Sequence, residues 1–173
     1  MAGADVTLVT GADLPPVMGA HMISISTAEQ MAEVVFKHAP AHDIVIMAAA
    51  VSDFTPTDYT PHKIHKMDAS LTLSLRPTTD ILAELGKRKL PSQFLCGFSM
   101  ETDDLVARSQ EKLRKKNLDM IVANSIARPD TGFAADTNEV TVLTPTTETI
   151  LPIASKWEIA SRLIELIANQ MKI

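Results

Sequence analysis

The sequence predicts an α/β protein: a three-layer, mostly parallel, Rossmann-like sheet with helices on both faces and a small antiparallel hairpin excursion. Three observations carry this. Short apolar runs alternate with segments of helical period, the runs are apolar on both faces, and each is bounded by turn residues or charge. A chain of 173 residues has the size of one ordinary domain and can bury a core without disulfides or a metal. Residues 1–173 are therefore read as a single domain.

The elements follow in order. "DVTLVT" (5–10) has strand character. "TAEQMAEVVFKH" (27–38) opens on Thr27 as a cap and places Met31, Val34, Val35 and His38 on one helical face, with His38 near the negative end of the dipole. "DIVIMAAAV" (43–51) is the next strand, and "LTLSLRP" (71–77) alternates like a half-exposed one that needs a partner strand or a second subunit. Residues 79–89 and 103–117 carry acids early and bases late, the order a helix dipole favours. "QFLCGF" (93–98) and "DMIVAN" (119–124) are two more strands. "NEVTVLTPTTETILPI" (138–153) reads as a hairpin with Pro145 in its turn, followed by a terminal helix from about Lys156 to Met171.

Composition narrows the partners. Sixteen Lys and Arg against 21 Asp and Glu give a net charge of −5, which does not favour nucleic acid or an anionic membrane. The cysteine Cys96 sits in an apolar run and has no second cysteine to bridge to, which fits burial in a reducing compartment. No apolar run approaches the roughly 18 residues that span a bilayer, and the start lacks the charged-then-apolar pattern of a leader. The expected location is the cytoplasm.

Ligands of such folds bind outside the carboxyl ends of the strands. Ala48 to Ala50 close a strand without large side chains, so a flat ligand can approach the backbone, and Asp53 follows just past the tip. Taken alone, Asp53 reads more simply as a loop residue bonding its own turn. The ensuing proline-studded loop reads as a lid. Its "HKIHK" segment gathers Lys63 and Lys66 beside His62 and His65, able to meet a phosphate, though lysines mostly mark a solvated loop. Thr78 or Thr79 would cap the helix starting near Asp80 and leave N–H groups for an anion, as any helix start does. Lys112 and Lys116 lie four apart on one helical face. Phe98 could offer a ring to a base, although an aromatic there is more often core.

Together, "AAAVSDF", a lysine ten residues after its aspartate, "TTDIL", "GFSMET", "KLRKKNLDMIVAN" and "GFAADTNEV" resemble the phosphopantothenoylcysteine synthetase family, the ligase half of the bacterial bifunctional coenzyme A flavoprotein, from about Gly3 onward. The resemblance implies CTP-dependent ligation of 4'-phosphopantothenate with cysteine through an acyl-cytidylate, in coenzyme A biosynthesis. By position it implies that Met47, Ala48 and Ala49 offer backbone to the nucleotide and that Asp53 holds the nucleotide or its metal. Lys63 would stabilise phosphoryl charge as the catalytic residue. Thr79, Asp80, Ile81 and Leu82 would receive phosphates, and Phe98, Lys112 and Lys116 complete the nucleotide contacts. Mg2+ is implied to bridge the triphosphate charge, without a dedicated set of protein ligands. A homodimer, with "LTLSLRP" in its interface, and association with phosphopantothenoylcysteine decarboxylase complete the implied partners.

The chain departs from that pattern in places. His65 stands where bacterial members tend to carry a lid lysine, which makes charge there pH-dependent. Thr79 replaces the commoner proline before the "DIL" aspartate. Family members begin with a strand and a Gly-, Ser- and Asn-rich loop ahead of the segment at which this chain starts, so truncation at the amino end and weak activity of the chain alone are expected. Two rivals remain at this point: a non-catalytic nucleotide-binding or assembly subunit, and a dinucleotide-dependent reductase, which would need a Gly-rich first turn.

Overall fold

The computed structural model describes residues 3–58, 60, 62, 72–101, 103–125 and 136–172. Its strands are β1 (Val6–Thr10), β2 (Ala20–Ser24), β3 (Ile44–Met47), β4 (Phe54–Pro56), β5 (Leu75–Pro77), β6 (Phe94–Glu101), β7 (Met120–Ser125), β8 (Thr137–Leu143) and β9 (Glu148–Ser155). Its helices are α1 (Ala28–His38), α2 (Ile81–Arg88), α3 (Leu105–Lys115) and α4 (Lys156–Met171). The chain forms two compact units, Met1–Lys37 with Ala50–Ile81, and His38–Ala49 with Leu82–Ile173.

The second unit holds a five-stranded sheet in the order β3-β6-β7-β8-β9. β3, β6 and β7 run parallel, and β8 and β9 return antiparallel. The pleat sorts alternate side chains to opposite faces. On one face Phe94, Cys96, Met120, Val122, Val140, Val142 and Leu151 pack with Ile159, Leu163 and Ile167 of α4. Each such side chain contributes roughly 1.5–3 kcal/mol when fully buried. The other face takes α2 and α3. A Cβ on Gly97 of β6 would lie 2.6 Å from Leu82 Cδ2 of α2, and Ser99 of β6 shares a 2.6 Å hydrogen bond with Ser109 of α3. The α/β class with helices on both faces is thus as expected from the sequence.

Local chemistry sets the ends of these elements. α4 starts at a capping box in which Ser155 Oγ accepts from the Glu158 N–H and the Glu158 carboxylate accepts from the Ser155 N–H. Those two bonds from Ser155, its hydroxyl first and its backbone second, hold the Glu158 carboxyl below the usual range. α3 stops where Asn117 turns left-handed at φ 52. The Asn117 N–H bonds the Arg114 carbonyl and the Leu118 N–H bonds the Leu113 carbonyl, a Schellman closure. Asn117 Nδ2 then donates to the Gly86 carbonyl of α2 at 2.8 Å. A Cβ on Gly86 would stand 1.8 Å from the Lys116 carbonyl oxygen, so only glycine lets these helices approach so closely. The hairpin between β8 and β9 turns through Pro145, with the Thr144 hydroxyl accepting from the N–H groups of Thr146 and Thr147.

The first unit contains two small sheets. β1 pairs in parallel with β2, a strand not expected from the sequence, and β4 pairs antiparallel with β5. Of "LTLSLRP", Leu75–Pro77 form β5, which finds its partner β4 within the chain. Thr27 caps α1 as expected, its Oγ1 accepting from the Gln30 N–H at 3.1 Å. Arg76 on β5 pairs with Glu29 on α1. Among the described residues no helix is long and apolar enough to cross a membrane.

Several boundaries differ from the sequence reading, two of them because of pairing. β3 ends at Met47, whose partner on β6 is Gly97, so Ala48 to Ala50 lie beyond the ladder. β6 runs on to Glu101 because β7 pairs with it as far as Ser125.

Candidate functional site

The carboxyl ends of three parallel strands lie side by side in the second unit. Met47 of β3 stands beside Gly97 of β6, Phe98 beside Val122 of β7, and Met100 beside Asn124. Gly97 follows from packing, since its missing side chain makes room for Leu82.

From Phe98 onward the two faces of β6 diverge. On the face toward α3, Ser99 and Glu101 are buried, at 5% and 8% exposure. The Glu101 carboxylate meets Lys112 Nζ and, at 3.8 Å, Arg108 Nη1. Such burial is tolerable because the charge is paired. On the opposite face Phe98 and Met100 remain 37% and 39% exposed, beyond the core that α4 covers. Ile46 of β3, in register with Cys96, extends that open apolar strip. Asn124 belongs to the same face, continuing the row Met120, Val122. Its Oδ1 is buried and finds no hydrogen-bond donor.

The amino ends of the strands are built for rigidity. Asp119, just before β7, accepts from Lys89 Nζ at 2.7 Å and from the Leu95 N–H at 2.7 Å. Gln93 Nε2 donates to the carbonyls of Ala39 and His42. Cys96 is 1% exposed, as a small core hydrophobe, and burial, reinforced by the nearby Asp119 charge, pushes its thiol up to about 12.

The residues singled out from the sequence divide between the two units. Met47, Ala48, Ala49, Leu82, Phe98, Lys112 and Lys116 fall in the second, and Asp53, Thr79, Asp80 and Ile81 in the first. Ala48 and Ala49 are exposed past β3. Lys112 is committed to Glu101, and Lys116 forms the carboxyl cap of α3. Asp53 is exposed in a turn whose carbonyl accepts from the Thr78 N–H at 2.9 Å, and the Thr78 hydroxyl donates to the Ser52 carbonyl. Thr79 and Asp80 are exposed, and Ile81 is core at 3% exposure. Lys63, with His65 and Lys66, lies outside the described residues. Sequence reasoning passed over Glu101, Met100 and Asn124. The period-2 alternation of "FSME" held the signal for the first two.

Comparison with known proteins bears on the chemistry. The family model described as the DNA/pantothenate metabolism flavoprotein C-terminal domain matches residues 1–171. A relative from an unidentified prokaryote, named a cysteine/cysteine sulfinic acid decarboxylase, is 43% identical over 82% of this chain and 40% of its own length. The coenzyme A biosynthesis bifunctional protein CoaBC of Bacillus subtilis (strain 168) is 42% identical over 98% of this chain and 42% of its own length. The crystal structure of the C-terminal domain of a CoaBC protein superposes with a TM-score of 0.81 at 32% identity, covering 98% of this chain and 76% of that one. The chain thus spans about two-fifths of the length of these curated relatives.

These names correct the chemistry expected from the resemblance. They are those of a flavoprotein, a decarboxylase and a bifunctional coenzyme A protein, and none names a cytidylate-forming ligase. The assignment to the ligase half, the joining of 4'-phosphopantothenate to cysteine, CTP with Mg2+, and a separate decarboxylase as partner are therefore withdrawn. The physical reason is general: motifs such as "AAAVSDF" and "GFSMET" are strand ends of the fold, and a shared strand end does not fix which bond is made or broken.

Proposed function

Because the chain belongs to the DNA/pantothenate metabolism flavoprotein C-terminal domain family, we propose that it works in coenzyme A biosynthesis as part of a larger flavoprotein. Its site takes a phosphorylated, pantothenate-derived compound. The observation that carries this is the 42% identity to a coenzyme A biosynthesis protein over 98% of the chain. The ligand lies over the carboxyl ends of β3, β6 and β7, with Met47, Ala48 and Ala49 presenting backbone and Phe98 an apolar surface. A single domain over residues 1–173 and a cytoplasmic setting go with this reading. The buried free thiol of Cys96 supports the latter.

The family name implies a flavin, which would supply redox chemistry when bound. The described residues do not fit one: a flavin ring is held in a cleft that buries most of its surface, whereas Phe98 and Met100 offer it a single open face of β6.

Calorimetric titration with 4'-phosphopantothenate, phosphopantothenoylcysteine and unphosphorylated pantothenate tests the proposal. Saturable binding of the phosphorylated compounds is expected, and no binding of either would overturn it. Carbon dioxide release from phosphopantothenoylcysteine, followed with and without added flavin mononucleotide, reads whether decarboxylation takes place on this chain or requires the rest of a longer protein.

A further inference from the structure

At the amino ends of β6 and β7, opposite the proposed ligand, α2 and α3 finish side by side. Asn117 Nδ2 donates to the Gly86 carbonyl at 2.8 Å, and Lys89 Nζ reaches Asp119, just before β7, at 2.7 Å. Segments 84–90 and 111–119 therefore share one surface, and they hold seven bases against three acids in a chain whose net charge is −5. Three of those bases are committed: Lys89 to Asp119, Lys112 to Glu101, and Lys116 to partners of its own. Lys87, Arg88, Arg114 and Lys115 stand exposed. Lys87 and Arg88 share Glu84, Lys115 takes Glu111, and Arg114 forms no ion pair among the described residues.

Bases at a helix end complement its dipole, but the dipole does not account for this crowding. α4 has 16 residues and no base in its last turn, whereas α2 has 8 residues and ends on Lys87 and Arg88, and α3 ends on Lys112, Arg114 and Lys115. Gathering like charges in one place works against the compact state. Leu90, directly after Lys89, is an apolar side chain left 52% exposed beside these bases. The floor beneath them is rigid, since Gly86 admits the Lys116 backbone and Gln93 ties the loop after Leu90 to the carbonyls of Ala39 and His42. A surface already ordered loses little freedom when something binds to it.

We propose that the joined ends of α2 and α3 are a docking surface for a short acidic segment of another protein, whose carboxylates meet Lys87, Arg88, Arg114 and Lys115 and whose apolar residue lies on Leu90. Charge complementarity names this occupant. Nucleic acid fits less well: neither segment has an aromatic side chain on which a base could stack, and the negative total charge works against a long polyanion that runs beyond the patch. A short segment feels only the local field, because charges more than about 8 Å apart are largely screened at physiological salt. The surface and the proposed ligand lie at opposite ends of the strands, so both can be occupied at once and neither reading depends on the other.

The probe is a labelled peptide of six glutamates around two leucines, compared by fluorescence anisotropy with a peptide of equal charge that has serines for the leucines. The wild type should bind the leucine peptide about fivefold more tightly than the serine one, and more weakly as salt rises. Lys87→Glu with Arg114→Glu should weaken binding about tenfold or more, and Leu90→Ser should remove the preference for leucine. Lys87→Gln with Arg114→Gln, which deletes the charges without reversing them, should fall between, and serves alone if the reversed pair does not fold. Arg162→Glu with Lys172→Glu makes the same charge change on α4 and should leave binding within about twofold of the wild type. No binding by the wild type, no preference for leucine, or an equal loss in the α4 variant overturns the inference. So does tighter binding of a single-stranded DNA of equal charge, or self-association of the chain that the Lys87 and Arg114 variants abolish, since either gives the surface to a different occupant. All these outcomes leave the proposed function intact, because binding of 4'-phosphopantothenate is titrated separately.

Discussion

The two faces of β6 carry the same strand to different ends. Toward α2 and α3 the strand offers Leu95, Gly97, Ser99 and Glu101, all buried, and every polar group among the last two has a partner. Toward the opposite side it offers Phe94 and Cys96 to the α4 core, then Phe98 and Met100 to solvent. Polar residues are thus inside and apolar ones outside at the same end of one strand. The contrast marks where the sealed core ends and open apolar surface begins. A face that helices seal can hold a serine pair or a glutamate because its partners are fixed, and a face that no helix seals keeps apolar surface available.

The largest effect is expected at Gly86, which lets α2 settle against the end of α3. A Cβ there would meet backbone at 1.8 Å, so Gly86→Ala should cost about 3 kcal/mol or more. That outweighs the roughly 1 kcal/mol that alanine gains over glycine within a helix. Urea denaturation measures it, and unchanged stability would mean that the two helices separate freely.

Next comes the serine pair. Ser99→Ala strands the Ser109 hydroxyl, which is 0% exposed, and should cost about 1–3 kcal/mol. The double variant Ser99→Ala/Ser109→Ala should cost less than the two singles added together. Additivity in a double-mutant cycle would show that the hydroxyls do not depend on each other.

Cys96 tests the core behind the open face. Its thiol is pushed up to about 12 from the ordinary 9.0. A raised folded-state value means that the contribution is fully present below about pH 9 and is lost as pH climbs toward 12, because only the unfolded thiol ionises in that window. The loss should not exceed about 1.4 kcal/mol per pH unit. Comparing Cys96→Ala with the wild type on either side of pH 9 checks it: the wild type should lose stability on the alkaline side more steeply than the variant.

The smallest effect on stability belongs to the open face. Met100→Thr, already 39% exposed, should change unfolding free energy by about 0.5 kcal/mol or less while weakening binding of phosphopantothenoylcysteine. A large loss of stability with binding intact would reclassify Met100 as core.

Much of the fold was legible. The terminal helix runs from Lys156 to Met171 as its period indicates, because the Ser155 and Glu158 box and its apolar stripe are local signals. The Thr27 cap and the hairpin through Pro145 were legible for the same reason. β2 and β4 were not. Each is short, β4 being only Phe54–Pro56, and each is a strand only because β1 or β5 lies beside it. The candidate site was half legible. Ala48, Ala49 and Phe98 stand near strand ends as expected, but the partner of Lys112 is eleven residues away in sequence, and neither residue announces the other.

By itself the sequence determined what depends on neighbours along the chain: which segments are helices, where they are capped, which runs are apolar enough to be strands, and that the class is α/β. Only the tertiary structure decided what depends on neighbours across it. The register of β3, β6 and β7 set where each strand stops, and the approach of α2 to α3 explained Gly86. The ion pair with Glu101 committed a lysine that looked available for phosphate, and the reach of α4 left Phe98, Met100 and Asn124 at an open edge. The reason is physical. Propensity and capping act over a turn or two of chain, whereas burial and pairing are settled by which surfaces meet, and the side chains that meet here come from segments far apart in sequence.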